Sequence, residues 1–215
     1  MNTAAIILVI VGMLFLFYLL GWRGLTRLYH LPCPPGFIFI LESGLMENVA
    51  GPEAIIQRAM IQPGMRVLDA GCGPGRMAIP LAGYLGPEGK LVAFDIQEGM
   101  LKRLARRLEK SGLNNLEMVQ GAMGADLLGE ERFDRALLIS VLGEIPDQTA
   151  ALAEIHRALA PGGILSITEV LPDPHYQYLN KVRRLAEDTG FQTELAYKSW
   201  RAYTLNLKKP TADKS

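Results

Sequence analysis

Residues 67–75 read VLDAGCGPG: an aliphatic run ends at Asp69 and opens into glycines at positions 71, 73 and 75. The longer stretch MRVLDAG (65–71) has the composition and length of a buried strand. After it, GRMAIPLAGYLG (75–86) carries apolar residues at helical spacing, at Met77, Ile79, Leu81, Ala82 and Leu85. Glycines between a strand and a helix permit positive φ and close approach of a ligand to the backbone, and the helix N-terminus adds unpaired N–H donors. Tight turns also use glycine without any ligand. Two nucleotide-binding loops are excluded. The dinucleotide pattern needs glycine where this chain has Arg76, and the phosphate loop's terminal Gly-Lys-Ser/Thr is absent.

Outward from this loop, strands and helices alternate. KLVAFDI (90–96) reads as a strand, and Gln97–Ser111 as an amphipathic helix with Met100, Leu101, Leu104 and Leu108 inward. LEMVQG (116–121) and FDRALLIS (133–140) read as strands. Gln148 to Ala160 reads as a helix stopped by Pro161-Gly162-Gly163, and GILSITEV (163–170) as a buried strand. This alternation predicts an α/β fold: a doubly wound, mostly parallel sheet with helices on both faces. FQTELAYKSW (191–200) and RAYTLNLK (201–208) have no helix between them and predict an antiparallel pair at one edge. Residues 209–215 read as a frayed tail.

Asp95 ends the second strand, 26 residues after Asp69. In doubly wound sheets an acid at that point reaches a ribose hydroxyl, and the ligand lies beyond the carboxyl ends of the strands. Asp69, Asp95, Gly121 and Ser140 all fall there. VLDAGCGPG, AFDI (93–96) and ALAPGGILSITE (158–169) together resemble the class I S-adenosylmethionine-dependent methyltransferases over about residues 49 to 207. Within that family the chain is most similar to the small-molecule and quinone-type enzymes. The resemblance implies a Rossmann-like seven-stranded sheet with an antiparallel last strand, and S-adenosylmethionine as cofactor with S-adenosylhomocysteine as product. It implies that Gly71, Cys72, Gly73 and Gly75 pack against the methionine part while Asp69 organises their loop. Asp95 would hold the ribose hydroxyls, Ile96 would lie against the adenine, Gly121, Ala122 and Met123 would flank its edge, and Ser140 would sit near the methyl-donor end. One departure stands out. Many members carry an acid directly after the third-strand glycine, where this chain has Ala122, so a backbone carbonyl or a nearby side chain must replace it, with Asp126 as one candidate.

Methyl transfer from a sulfonium needs positioning above all, with a general base only where the acceptor must lose a proton. The candidates are Glu144 and His175, with Glu169, Asp173 and Tyr178 beside them in sequence. Blander readings make Glu144 a helix-start acid, Glu169 half of an ion pair and His175 a solvated loop residue. His30, His156 and His175 make no metal-ligand spacing, and two cysteines are too few for a cysteine-built site, so no metal is expected. With 22 Lys plus Arg against 22 Asp plus Glu the chain lacks the basic footprint of a nucleic-acid binder. A basic face on Lys102, Arg103, Arg106, Arg107 and Lys110 reads as a solvated helix surface or as a contact for anionic headgroups.

The N-terminus differs from the rest. Residues 4–20, AAIILVIVGMLFLFYLL, hold no charge, and residues 3–22 as a helix reach about 30 Å, the hydrocarbon thickness. No Lys or Arg precedes the run, as a cleaved signal would require, while Arg23 and Arg27 come after it. The expectation is a single transmembrane anchor over residues 1–22 in the lipid bilayer. The positive-inside rule places the chain from about residue 23 onward in the cytoplasm. Residues 23–48 read as a juxtamembrane linker and cap that includes the apolar patch FIFIL (37–41), and residues 49–208 as the methyltransferase domain. The expected function is transfer of a methyl group to a small, lipid-like or quinone-type acceptor. The alternatives are a soluble metabolite or protein side chain as acceptor, or a cofactor-binding module without catalysis.

Overall fold

The computed structural model describes residues 50–171 and 173–211, together with residues 5–7, 9–13, 16–17 and 21. The anchor expected over residues 1–22 therefore lies partly outside the described residues, and the linker and cap over 23–48 wholly so. The described residues between 5 and 21 are helical and mostly exposed. Among the described residues no helix is long and apolar enough to cross a membrane.

Strands β1 (Arg66–Ala70), β2 (Lys90–Asp95), β3 (Leu116–Gln120), β4 (Phe133–Ile139), β5 (Leu159–Val170), β6 (Gln192–Lys198) and β7 (Ala202–Lys208) form one sheet. Their order is β3-β2-β1-β4-β5-β7-β6. The first five pair in parallel, and β7 runs antiparallel to both its neighbours. Helices α1 (Pro52–Arg58), α2 (Ala78–Leu85) and α3 (Glu98–Ser111) cover one face, and α4 (Gln148–Ala158) and α5 (Leu179–Asp188) the other. Alternation along each strand divides the core accordingly. Val67, Leu91, Ala93 and Leu137 meet Ile55, Leu81, Leu85 and Leu104, while Leu68, Phe94, Leu138, Ile167 and Leu205 meet Leu152, Ile155 and Val182. Each fully buried Leu or Ile stabilises the fold by roughly 1.5–3 kcal/mol.

The start of α4 and the antiparallel pair at the edge agree with the sequence expectation, whereas the end of α4 and the start of β5 differ from it. Helix α4 starts at Gln148, where the Asp147 carboxylate caps it by accepting from the Ala150 N–H at 2.9 Å. It ends at Ala158, because β5 already begins at Leu159. Pro161-Gly162-Gly163 is absorbed into the strand, with Gly162 at φ +79° and a register shift opposite Phe133 and Arg135. At the sheet edge, the chain runs out along exposed β6 and returns along buried β7, so the returning strand sits beside β5. Helices α1 and α5 have no counterpart in the sequence reading.

Candidate functional site

A cavity of about 320 Å³ opens at the carboxyl ends of β1, β2, β3 and β4. Its first wall is the glycine loop. The N–H groups of Gly71 and Cys72 both donate to the Phe94 carbonyl, at 2.7 and 3.0 Å. Gly71 takes φ +76°, and a Cβ there would run into the Val141 side chain. The Gly73 N–H donates to Asp95 Oδ2 and the Gln97 N–H to Asp95 Oδ1, both at 2.8 Å. Asp95 thus ties the loop to the start of α3. Of the loop residues expected against a ligand, Gly71, Cys72 and Gly73 line the cavity. Gly75 does not. At φ +90° it lets α3 close in, since a Cβ there would collide with Leu104.

Asp69 lines the same wall, buried, with Oδ2 lacking a hydrogen-bond partner. Burial pushes its carboxyl up to about 7; the charge of Arg76 opposes that rise and the charge of Asp95 adds to it. Arg76, which the sequence reading used only to exclude a glycine pattern, lines the cavity and donates to the Ala50 carbonyl at 2.9 Å. Burial also raises the Cys72 thiol, with Asp69 and Asp95 adding to the effect, so it stays a thiol.

The next wall carries Ile96, Gly121, Ala122 and Met123. A Cβ on Gly121 would meet the Leu127 side chain and come within 3.0 Å of Phe94 Cζ. Asp126 does not take the place of the missing acid after Gly121. It lies outside the cavity lining and its carboxylate is engaged by Arg157 at 2.7 Å on the surface. The loop is organised by a residue the sequence reading missed. Buried Glu154 of α4 accepts from the N–H groups of Gly124, Leu127 and Leu128. Its signal was present in the sequence, as an acid at the i, i+3, i+4, i+7 positions shared with Ala151, Ile155 and Ala158.

The far wall is mostly apolar, built from Ile139, Val141, Ile145, Pro146 and Val170, with Ser140, Glu144 and Asp173 facing the same space. Ser140 is held at φ +54°, with its N–H on the Thr168 carbonyl and its buried Oγ lacking a partner. Glu144 enters from the short 3-10 turn Leu142–Glu144. His175 is buried outside the cavity lining. Its N–H donates to Asp173 Oδ1 at 2.7 Å, and its carbonyl occupies the space a Cβ on Gly143 would need. Glu169 is likewise buried, and Oε2 accepts from the Gln177 N–H at 3.1 Å. Burial chiefly, with the charges of Asp173 and Glu144, pushes its carboxyl up to about 8 despite Lys181. The Tyr203 hydroxyl donates to the Gln177 carbonyl at 2.9 Å. Tyr178 points into solvent, 72% exposed.

A ligand with an ammonium, a carboxylate, a vicinal diol and a flat heterocycle finds complements along this surface. Asp69 offers an orphaned acceptor, Arg76 a cation and Asp95 the lone pairs its two backbone donors leave free. Ile96, Ala122 and Met123 offer an apolar edge.

A family profile described as a methyltransferase domain matches residues 61–202. The demethylmenaquinone methyltransferase of Geobacillus kaustophilus is 34% identical over 112 residues, 52% of this chain and 48% of that protein. Its counterpart in Geobacillus stearothermophilus is 34% identical over 110 residues, 51% and 47% of the two chains. The chain thus spans about half the length of these curated relatives. Among solved structures, an S-adenosylmethionine-dependent methyltransferase from Aquifex aeolicus superposes with a TM-score of 0.76 at 22% identity, over 83% of this chain and all of that one. The [4+2]-cyclase SpnF superposes at 0.69 with 17% identity, over 75% of this chain and 80% of its own. At such identities these neighbours speak to the fold alone.

Proposed function

The chain belongs to the S-adenosylmethionine-dependent methyltransferase family, and on that premise we propose that it methylates a small apolar acceptor of quinone or lipid type. The observation that carries this reading is the cavity itself, with the glycine loop and Asp95 on one side and an apolar wall bearing Glu144 and Asp173 on the other. S-Adenosylmethionine, when bound, would supply a sulfonium methyl group whose carbon an acceptor atom attacks in line, the C–S bond breaking as S-adenosylhomocysteine leaves. Asp95 would accept from the ribose hydroxyls, and Asp69 and Arg76 would address the ammonium and carboxylate. Gly71, Cys72 and Gly73 would lie along the methionine chain, Ile96, Ala122 and Met123 against the adenine, and Ser140 near the transferred methyl. Ile139, Val141, Ile145 and Val170 exclude water and select an apolar acceptor. Glu144, facing the cavity, would take the acceptor's proton.

The named activity of the demethylmenaquinone methyltransferase relatives supports an acceptor of this class. We also infer anchoring through residues 3–22 with the domain in the cytoplasm. The uncharged run, the arginines after it and the exposed apolar side chains of Ile7, Val11 and Phe17 support this. An anchor would raise the enzyme's effective concentration at a membrane-borne acceptor.

The test incubates the full chain with methyl-labelled S-adenosylmethionine and an extract of bacterial membranes plus cytosol, then partitions the label. Label in the organic phase is expected. Label confined to the aqueous or protein fraction overturns the lipid-like acceptor, and no transfer at all overturns the catalytic reading.

A further inference from the structure

The β6–β7 hairpin ends in a surface that the methyl-transfer reading leaves unused. Trp200 at its tip is 85% exposed, although burying so large a ring is favourable. The tip is a built turn. The Ser199 N–H donates to the Ala202 carbonyl at 2.8 Å, and Ser199 Oγ accepts from the N–H groups of Arg201 and Ala202. The Arg201 guanidinium lies 5.0 Å over the Trp200 ring. Beside this tip, the Leu171 N–H donates to the Arg201 carbonyl at 2.7 Å, and the Leu171 side chain is exposed. Tyr178 extends the apolar surface through edge-on ring contacts, from Tyr203 to Tyr176 at 5.9 Å and from Tyr176 to Tyr178 at 5.7 Å.

This rim borders the cavity mouth. Val170, the residue before Leu171, lines the cavity and pairs with Ala202, two residues from Trp200. Its charges are one-sided. Lys181, Lys198 and Arg201 belong to the elements that form it, whereas the acids at this end are turned inward: Asp173 and Glu144 line the cavity and Glu169 is buried. Glu187 and Asp188 sit at the opposite end of α5. Indole and phenol rings backed by basic side chains suit the headgroup layer of a membrane, where aromatic residues concentrate and anionic lipids attract Lys and Arg. The basic face of α3 lacks such partners. Its Lys102 is paired with Glu98 at 2.7 Å, and no large apolar side chain of that helix is exposed.

We propose that the rim of Leu171, Tyr178, Trp200 and Arg201 docks onto the headgroup layer of an anionic bilayer and brings the cavity mouth to the lipid surface. The purpose of this docking rests on the lipid-like acceptor of the proposed function, whereas its geometry does not.

The chain has two tryptophans, so Trp22→Phe in the full chain leaves Trp200 as the lone reporter. The variant is mixed with vesicles of phosphatidylcholine plus phosphatidylglycerol, with and without bromine on the acyl chains. Binding is checked separately by co-sedimentation. The expected result is roughly twofold quenching of Trp200 by brominated anionic vesicles, as an indole at the headgroup boundary requires, and its loss on pure phosphatidylcholine. Arg201→Glu should weaken the quenching. The proposal falls if Trp200 stays unquenched while the chain sediments with the vesicles, because residues 3–22 would then hold it with the rim in water. It falls equally if the chain does not sediment, or if quenching is the same on neutral lipid. A concentration-dependent blue shift without vesicles would assign the rim to a second copy of the chain and overturn it too. Quenching without methyl transfer to any lipid would sink the acceptor reading and leave the docking intact.

Discussion

On the β1–β2 side, the cavity wall is largely backbone: glycines at φ +76° and +52° and paired N–H groups on the Phe94 carbonyl, with the Asp95 carboxylate drawn between two more. On the β4–β5 side it is assembled from side chains that come from distant parts of the chain. The 3-10 turn carrying Glu144 is held against the His175 carbonyl, and residues 173–178 are tied to Glu169 on β5 and Tyr203 on β7. A ligand common to a whole family can be met by backbone, since backbone geometry survives most substitutions. An acceptor particular to one enzyme is met by side chains. The two walls should therefore fail separately.

Gly143→Ala is expected to have the largest effect on the side-chain wall. The new Cβ would meet a backbone carbonyl, which cannot swing aside as a side chain does. Overpacking of this kind costs about 3 kcal/mol. Thermal unfolding should show that loss, and methyl transfer should collapse while affinity for S-adenosylmethionine stays near that of the native chain. Equal losses of transfer and cofactor affinity would merge the two walls into one unit.

Glu169→Gln tests the buried acid. A carboxyl raised from its ordinary value to about 8 contributes stability that is complete below the unfolded value and is lost as pH rises through about 8. The glutamine variant has no such loss. Its stability relative to the native chain should therefore rise by roughly 2 kcal/mol or more between about pH 5 and pH 8, read from melting curves at each pH. A constant difference would mean that Glu169 does not hold its proton in the folded state.

Tyr203→Phe removes one hydroxyl donor from the Gln177 carbonyl and should cost about 1 kcal/mol. The KM for the acceptor should shift with the binding of S-adenosylmethionine unaltered. A change in cofactor binding would break the separation.

The same contrast explains why some elements were legible in the sequence and others were not. The strand, glycine loop, second strand and Asp95 are legible because each carries a local pattern in the sequence, an aliphatic run, alternate glycines or an acid closing a strand, even though their contacts reach more than twenty residues away. Asp69, Asp95, Gly121 and Ser140, read from their places at strand ends, line the cavity, as do Gly71, Cys72, Gly73, Ile96, Ala122 and Met123, named through the family resemblance, and Glu144. Gly75 lies off it because packing against Leu104 claimed that glycine first. His175 lies off it because its backbone is committed to Asp173, two residues away, and to Gly143, a contact that spans some thirty residues and leaves no periodic trace. Arg76 was hidden by being read only as a missing glycine. Glu154 was legible in principle, an acid on the buried stripe of α4, yet the loop it holds sits some thirty residues earlier. Helix α5 escaped because its buried side is short, with Val182 and Ala186 amid LNKVRRLAED.

Calorimetric titration of S-adenosylmethionine into the native full chain and into Asp95→Ala tests the central claim most directly. The account predicts one site per chain, weakened about tenfold or more in the variant, near 1.4 kcal/mol, the scale of one charge-assisted hydrogen bond. Equal affinities in a variant that remains folded would contradict the placing of Asp95 on the ribose, and absence of binding to the native chain would contradict the whole reading of the cavity.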